Sequence, residues 1–490
     1  MRFLTQQFGY WGYAIRRFLE ENQGEGSSSE AYGGYSAIVY IDGSSVIARD
    51  YKGNIIASGT AGTDDASVIN NAFSNLTGSR TWREKVKLIG SFALTDNISI
   101  PSYTIFDAEE AKLTLAASTA KNVIEVKNAS YVDIIGGIYD GNRTNQSESG
   151  TIFLQNGIWI QNANHVRLYR PRVISPYRGG IIVRASTGET TSDIWIYDPE
   201  VYDFLDNGAT QNLPGIFING QNGTLERVYI VNPYVHDSSK TSTGPVGISN
   251  YYASKIFIMG GSIDTVGDDC LTANNVTEIV ISSQITTKSS QVGHGVQIVD
   301  SSDFAIIGVI SELNNKIGIY VNNSSNGLVS NCIAKNNGQG GETGNLVGIG
   351  LSGSSGCSDV LVIGNRCYDD QANKTQATGI NEYNSDYNII IGNDCRGNKT
   401  HAVQCVGAHT IVKDNQGYVN ENEGSATITS GNTSVTVNHG LVDTPTNIQL
   451  TGTHSEVKDA YVTNPGATSF TIQVDSAVSA DRVVHWKAKV

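Results

Sequence analysis

The sequence predicts an all-β solenoid, and three observations predict it. The first is composition. Of 490 residues, 53 are Gly and only 9 are Pro, 16% are charged, and Asn, Ser, Thr, Val and Ile recur throughout. That mix suits short strands and tight turns better than helices. The second is a four-residue phrase of Gly, apolar, any residue, apolar. It starts at Gly157, Gly180, Gly215, Gly247, Gly295, Gly318, Gly348 and Gly379, with Cys270 in the glycine's place once, at intervals of 23, 35, 32, 23, 25, 23, 30 and 31 residues. The third is an apolar strand interleaved with it, as in Ile194-Trp195-Ile196, Val228-Tyr229-Ile230, Ile256-Phe257-Ile258 and Ile279-Val280-Ile281. A period in the low twenties, with two strands per repeat and no helical spacing, describes coils that bury their apolar residues only by stacking.

Taken in order, residues 1–22 read as a helix. Leu4, Phe8, Trp11, Ile15 and Phe18 are spaced 4, 3, 4 and 3 apart, a coiled-coil seam of about two heptads, too short to stand alone. It packs either on its own domain or on a partner. Residues 23–34 are a Gly- and Ser-rich linker, so 1–34 is expected to serve attachment or oligomerisation. Residues 35–85 form a cap. Strands between Ser36 and Ser58 turn at Asp42-Gly43 and at Lys52-Gly53-Asn54. Thr63, Asp64 or Asp65 then caps a helix whose apolar face is Val68, Ile69, Ala72, Phe73 and Leu76. The segment Gly62-Thr63-Asp64-Asp65 followed by Ile69 resembles the capping helix of pectate-lyase-like proteins. The resemblance implies a right-handed parallel β-helix whose open end the helix plugs.

The solenoid is expected over 86–417. Its longer intervals are turns grown into loops, around 186–192, 207–213, 238–244, 338–345 and 370–377. Cys332, Cys367 and Cys395 each follow an apolar strand and read as a stacked column of buried thiols; disulfides are the alternative. Residues 424–490 change character. Val435-Thr436-Val437, Asn447 to Leu450, Ala460 to Val462, Phe470 to Val474 and Val483 to Lys489 alternate between turns, as a small β-sandwich does. The run Val435-Thr436-Val437-Asn438-His439-Gly440-Leu441 and the closing Asp481-Arg482-Val483-Val484-His485-Trp486 resemble C-terminal domains of viral tail fibres and tail spikes.

The chemistry gathers at Gly267-Asp268-Asp269-Cys270 and Gly293-His294-Gly295, which fill the same slot of consecutive repeats. In register, Asp269 faces His294 about one strand spacing away, roughly 4.8 Å. Two carboxylates and an imidazole on one surface can exchange protons with a bound substrate. The phrase also sets direction: Trp159, Phe217, Gln297 and Tyr320 are the outward residues of their strands, and exposed rings beside carboxylates suit a sugar chain. An Asp-Asp pair alone is also a common turn former.

The pairing of Gly-Asp-Asp-Cys with Gly-His-Gly one coil later resembles the polygalacturonase-type glycoside hydrolases. The resemblance implies Asp268 as general acid, Asp269 sharing the base role and His294 tuning the acid, with inversion at the anomeric centre and wide carboxylate spacing. This chain departs from the family in two places. The third carboxylate, one coil earlier, is replaced by Val246, and the family's sugar-binding cations are replaced by Tyr320 and Asn322. Polygalacturonate is therefore not the expected substrate. Asp237 and Asp264 are the nearest spare carboxylates, with Asp203 and Asp206 two coils away.

The chain's net charge is −14, and no Lys/Arg run stands out, which argues against nucleic acid. No stretch approaches the roughly 20 apolar residues of a membrane span. The N-terminal residues show no secretory h-region, so an ordinary cleaved signal is not expected. No metal-type CxxC pair occurs, and no cofactor or metal is expected. A lyase holding Ca²⁺ on the carboxylates is an alternative, with Lys240, Lys255 or Lys316 as its base. The resemblance to viral tail spikes implies a homotrimeric virion tail fibre or spike, joined to other tail or baseplate proteins through its N-terminus, that grips a host surface polysaccharide at a site that either cleaves the chain or only binds it. A polysaccharide hydrolase or lyase outside any virion, and a non-catalytic adhesive β-helix, remain the alternatives.

Overall fold

The structure, a computed structural model, describes residues 34–204, 213–238 and 245–490. The expected helix over 1–22, nearly all of the linker, most of the loops at 207–213 and 238–244, and Asp206 and Lys240 lie outside the described residues.

The chain winds as a right-handed parallel β-helix. One face is a ladder of 12 short parallel strands among the described residues. Its middle rungs are Ile216–Asn219, Ile248–Tyr251, Leu271–Asn274, Val296–Val299 and Ile319–Asn322, each following the first residue of the repeated phrase. The other two faces run into one 25-stranded sheet that also takes in the cap strands. A coil therefore holds three strands, not two: Leu271–Asn274, Thr277–Ser282 and Thr286–Lys288 make one turn. The third strand is three residues long in most coils, too short for alternation to show in sequence.

Stacking does what the periodicity requires. Ile248, Leu271, Val296 and Ile319 occupy one column, each fully buried beneath its neighbours. Each buried side chain of this size contributes about 1.5–3 kcal/mol. The turn after the first strand places Asn162, Asn275, Asp300 and Asn323 in the left-handed region, with φ of 51°, 53°, 46° and 48°. Asn and Asp visit that region most readily after Gly, which accounts for part of the chain's Asn content. Elsewhere Asn builds internal ladders. Asn314 receives hydrogen bonds from Ser290, gives them to Asn337, and Asn337 passes them to Gln376. Such columns satisfy backbone groups that a buried turn would otherwise orphan.

The thiols stack differently from expectation. All six cysteines are free and five are buried. Cys367 pairs in register with Ala334, and Cys395 follows it one coil on. Cys332 lies two positions earlier in the register, in the column of Asn365, Asn393 and Asn415, where its backbone N–H donates to Asn365. Ser330 pairs with Ile363 and Ile333 with Arg366 in one unbroken register, so Cys367 falls two residues beyond the position opposite Cys332.

The cap helix spans Asp65–Ser74 and buries Val68, Ile69, Ala72 and Phe73 against the first coil. Asp64 stands at its N-cap but its carboxylate turns back to accept from the Thr60 N–H, 2.8 Å away. Asp65, 1% exposed, accepts from the N–H groups of Gly62 and Ala93, so it stitches the helix to the first long strand, Glu84–Leu94. At the far end, two three-stranded antiparallel sheets enclose Ile428, Phe470, Ile472, Val484 and Trp486. The first strand of this sandwich, Glu421–Ile428, begins before residue 424 and carries few apolar residues. His439 is fully buried there, donating from Nε2 to the Gly466 carbonyl and accepting the Leu441 N–H at Nδ1.

Candidate functional site

The 12-stranded face fixes the site through register. Cys270 donates its N–H to the His294 carbonyl, and Leu271 pairs with Val296. Pro214, Val246, Asp269, His294 and Ile317 therefore occupy one column, each at the residue before the phrase. Asp269 and His294 are neighbours on consecutive rungs.

Both are nearly buried, 7% exposed each, rather than open to solvent. The Asp269 Oδ1 accepts two hydrogen bonds from His294, from the backbone N–H at 2.5 Å and from ring Nδ1 at 3.0 Å. With Nδ1 as the donor, the neutral ring keeps its lone pair on Nε2. The Tyr320 ring covers His294, with centroids 4.9 Å apart and planes 24° from parallel. The Tyr320 hydroxyl in turn accepts from the Asn322 side chain at 2.8 Å.

The two glycines of Gly293-His294-Gly295 are both required by space. A Cβ at 293 would lie 2.3 Å from Asp269 Oδ1 and 2.5 Å from Asp268 Oδ1. A Cβ at 295 would meet Ser311 Oγ at 2.0 Å and Asn314 Nδ2 at 2.6 Å. The two Asp Oδ1 atoms thus converge on the space left by one missing side chain. That is closer than the roughly 6.5–9.5 Å between the carboxyl groups of inverting glycosidases, so the pair does not have the wide spacing implied by the resemblance.

Asp268 is half-buried, and its carboxyl is pushed up to about 6. Burial is the larger cause and the Asp269 charge the second; Lys316 and His294 pull the other way. Lys316 donates its N–H to the Gly293 carbonyl, so Asp268, Gly293 and Lys316 form the adjacent column. With no side chain at 293, the ammonium on the far rung acts on Asp268. The sequence reading named Lys316 only as a lyase base. Reading the column one residue earlier would have found it as the site's cation.

The other expected contacts divide. Gln297, Tyr320 and Asn322 lie on the rungs next to His294, each half-buried. Phe217 is half-buried two rungs before Asp269's strand, and Trp159 is four rungs before it. Trp159 is not an exposed platform: it is 3% exposed, packed with Ile182 and Leu213. Asp237 is bound to its neighbour, accepting from His236 Nδ1 at 2.8 Å. Asp264 faces His236 on the third strand, and Asp203 accepts from Arg143 and Ser175. Among the described residues, none of these carboxylates makes a hydrogen bond or ion pair with Asp269's neighbours in the column, so Val246 leaves its position there without an acid. Among the described residues, no group of three or more His, Cys, Asp or Glu could hold a metal ion. Among them, too, no helix is long and apolar enough to cross a membrane.

No family model matches the chain, and no curated protein matches it in sequence. Solved structures match it in fold. The A-module of the Azotobacter vinelandii mannuronan C-5 epimerase AlgE4 superposes with a TM-score of 0.58 at 16% identity, covering 72% of this chain and 96% of that one. The Dettilon tailspike protein superposes with a TM-score of 0.52 at 13% identity, covering 88% of this chain and 92% of the tailspike. The pre-mature gene product 12 of bacteriophage phi29 gives a TM-score of 0.52 at 12% identity over 69% of this chain and 52% of that one. The chain therefore has the tailspike-like parallel β-helix fold.

Proposed function

We propose that this protein is a virion tail fibre or tailspike, working as a homotrimer outside the host cell, that binds a polysaccharide on the host surface. Asp268, Asp269 and His294 form the reactive part of its site. The observation that carries the reading is the Asp269–His294 contact beside a carboxyl raised to about 6, on an outer face of the coil. The likeness to a tailspike over 88% of the chain supports the setting.

In this reading Asp268, protonated at mildly acidic pH, gives its proton to the glycosidic oxygen. Asp269 holds His294 in the tautomer that leaves Nε2 able to accept a proton from water or from the sugar. Asp269 is then a positioning residue, not the base. Tyr320, Asn322 and Gln297 contact the sugar ring beside it. Incubation with a panel of bacterial surface polysaccharides, scored for binding and for new reducing ends, tests the proposal. Cleavage by the native protein and none by Asp268→Asn, with binding retained, is expected. Binding to no member of the panel would sink it.

A second reading is an extracellular polysaccharide-modifying enzyme that is not part of a virion. The Lys316 ammonium acting on Asp268 favours it, because a cation there suits an acidic sugar better than a neutral one. A product with a new double bond and ultraviolet absorbance would select lyase over hydrolase chemistry.

A further inference from the structure

Four rungs before the acid pair, on the same face, lies a second cleft of about 400 Å³. Four strand spacings are ~19 Å, within reach of one oligosaccharide. Its walls are Phe153 and Trp159, whose rings meet edge to face with centroids 5.8 Å apart. The Arg184 guanidinium lies over both rings, 4.3 Å from the Phe153 centroid and 5.5 Å from that of Trp159. Phe153 is 45% exposed, so the cleft is open on one side.

Arg184 is incompletely partnered. It has no carboxylate partner among the described residues, and its Nε is buried without any hydrogen-bond partner. Arg143, Arg170, Arg172 and Arg227 all have acidic partners. Cation–π contact offsets part of the cost of desolvation, but it does not neutralise the charge. Lys127 lies two rungs away in the same outer column, exposed and also without an ion pair among the described residues. Gln161, between them, is already satisfied by Trp159 and Ser186. The one acid lining the cleft, Glu125, accepts from Asn122. The cleft therefore holds two cations against one carboxylate.

We propose that this cleft is an anchoring subsite for an acidic sugar unit, whose carboxylate, sulfate or phosphate sits against Arg184 and Lys127 while its ring packs on Phe153. The inference rests on the polysaccharide-binding reading and names its substrate class: an anionic glycan, held by its charge here and not at the positions of Tyr320 and Asn322.

The test uses the full-length protein in affinity electrophoresis through gels containing polygalacturonate, alginate or dextran sulfate. The neutral counterparts are the methyl ester, the propylene-glycol ester and dextran. At least one acidic polymer should retard the native protein tenfold more strongly than its neutral partner, and added salt should weaken the effect. Arg184→Gln should remove that preference, Arg184→Lys should restore part of it, and Lys127→Gln, at an exposed position, should reduce it two- to fivefold. Gly150→Ala, at a position with open space around it, should leave it intact. Equal retardation by acidic and neutral polymers, or a preference that survives Arg184→Gln, would overturn the inference while leaving the polysaccharide reading standing. Retardation by no polymer counts against both.

Discussion

His294 Nδ1 lies 3.0 Å from Asp269 Oδ1, and the same oxygen accepts the His294 backbone N–H. Twenty-five residues separate the two in the chain, yet they are neighbours because one coil of the solenoid lies between them. The double contact sets both the position of the backbone and the orientation of the ring. It leaves Nε2 as the nitrogen that can meet a ligand under the Tyr320 ring.

Asp268 should titrate near 6. Its protonated form is favoured in the fold, so any activity that uses it as an acid should fall as pH rises through that value. The stability it lends has the same sign. Its folded value is above the ordinary 3.8, so the contribution is complete below 3.8 and is lost as pH rises through about 6. Carbon-detected NMR titration measures the value directly. Asp269→Asn should lower it by removing the like charge, and Lys316→Met should raise it. Shifts in the opposite directions would contradict the arrangement.

Gly293→Ala should damage the site and the fold together. The added methyl would meet both Oδ1 atoms and the Asp269 backbone nitrogen at 2.5 Å or less. Overpacking of this kind costs about 1–3 kcal/mol. A lower denaturation midpoint and lost glycan binding are expected. Gly150→Ala, where a Cβ has open space around it, should change neither and serves as the control.

Asn393→Ala should destabilise the last coils. Asn393 accepts from the backbone and side-chain N–H groups of Asn365 and donates to Asn415 and Val362. Each buried group left unpaired costs about 1–3 kcal/mol. Hydrogen exchange should show faster opening confined to the coils around residues 360–416. An unchanged exchange pattern would mean that the ladder contributes little.

The cysteines should resist thiol reagents in the native state. Burial pushes the Cys332 and Cys405 thiols up to about 12, and Cys270 and Cys367 well above their usual range. At neutral pH few thiolates are present to react. Ellman titration should find at most Cys405, the one half-buried thiol, before denaturation and all six after it. Fewer than six after denaturation without reductant would indicate disulfides.

Much of this is legible in the sequence. The column Pro214, Val246, Asp269, His294, Ile317 follows from counting back from each repeated glycine, because a parallel ladder keeps one register for many rungs. The cap helix is marked by its apolar face, and the last strands of the sandwich by their alternation. What escaped were features with no period of their own. Thr286–Lys288 and its kin are too short to alternate, and the two positions of register that separate Cys332 from Cys367 keep the parity of the strand, so they leave no trace in hydrophobicity. Trp159 reads as outward by parity, but Ile182 and Leu213 close over it.

By itself, the sequence determined the solenoid and the meeting of Asp269 with His294, since apolar residues repeated once per coil can be buried in only one stacking register. Only the tertiary structure decided how deeply that pair is sunk, that Asp269 is spent on orienting the histidine, and that Lys316 and Arg184 face the same side as the acids. Those properties depend on which side chains on neighbouring rungs cover one another, and no spacing along a single chain encodes that.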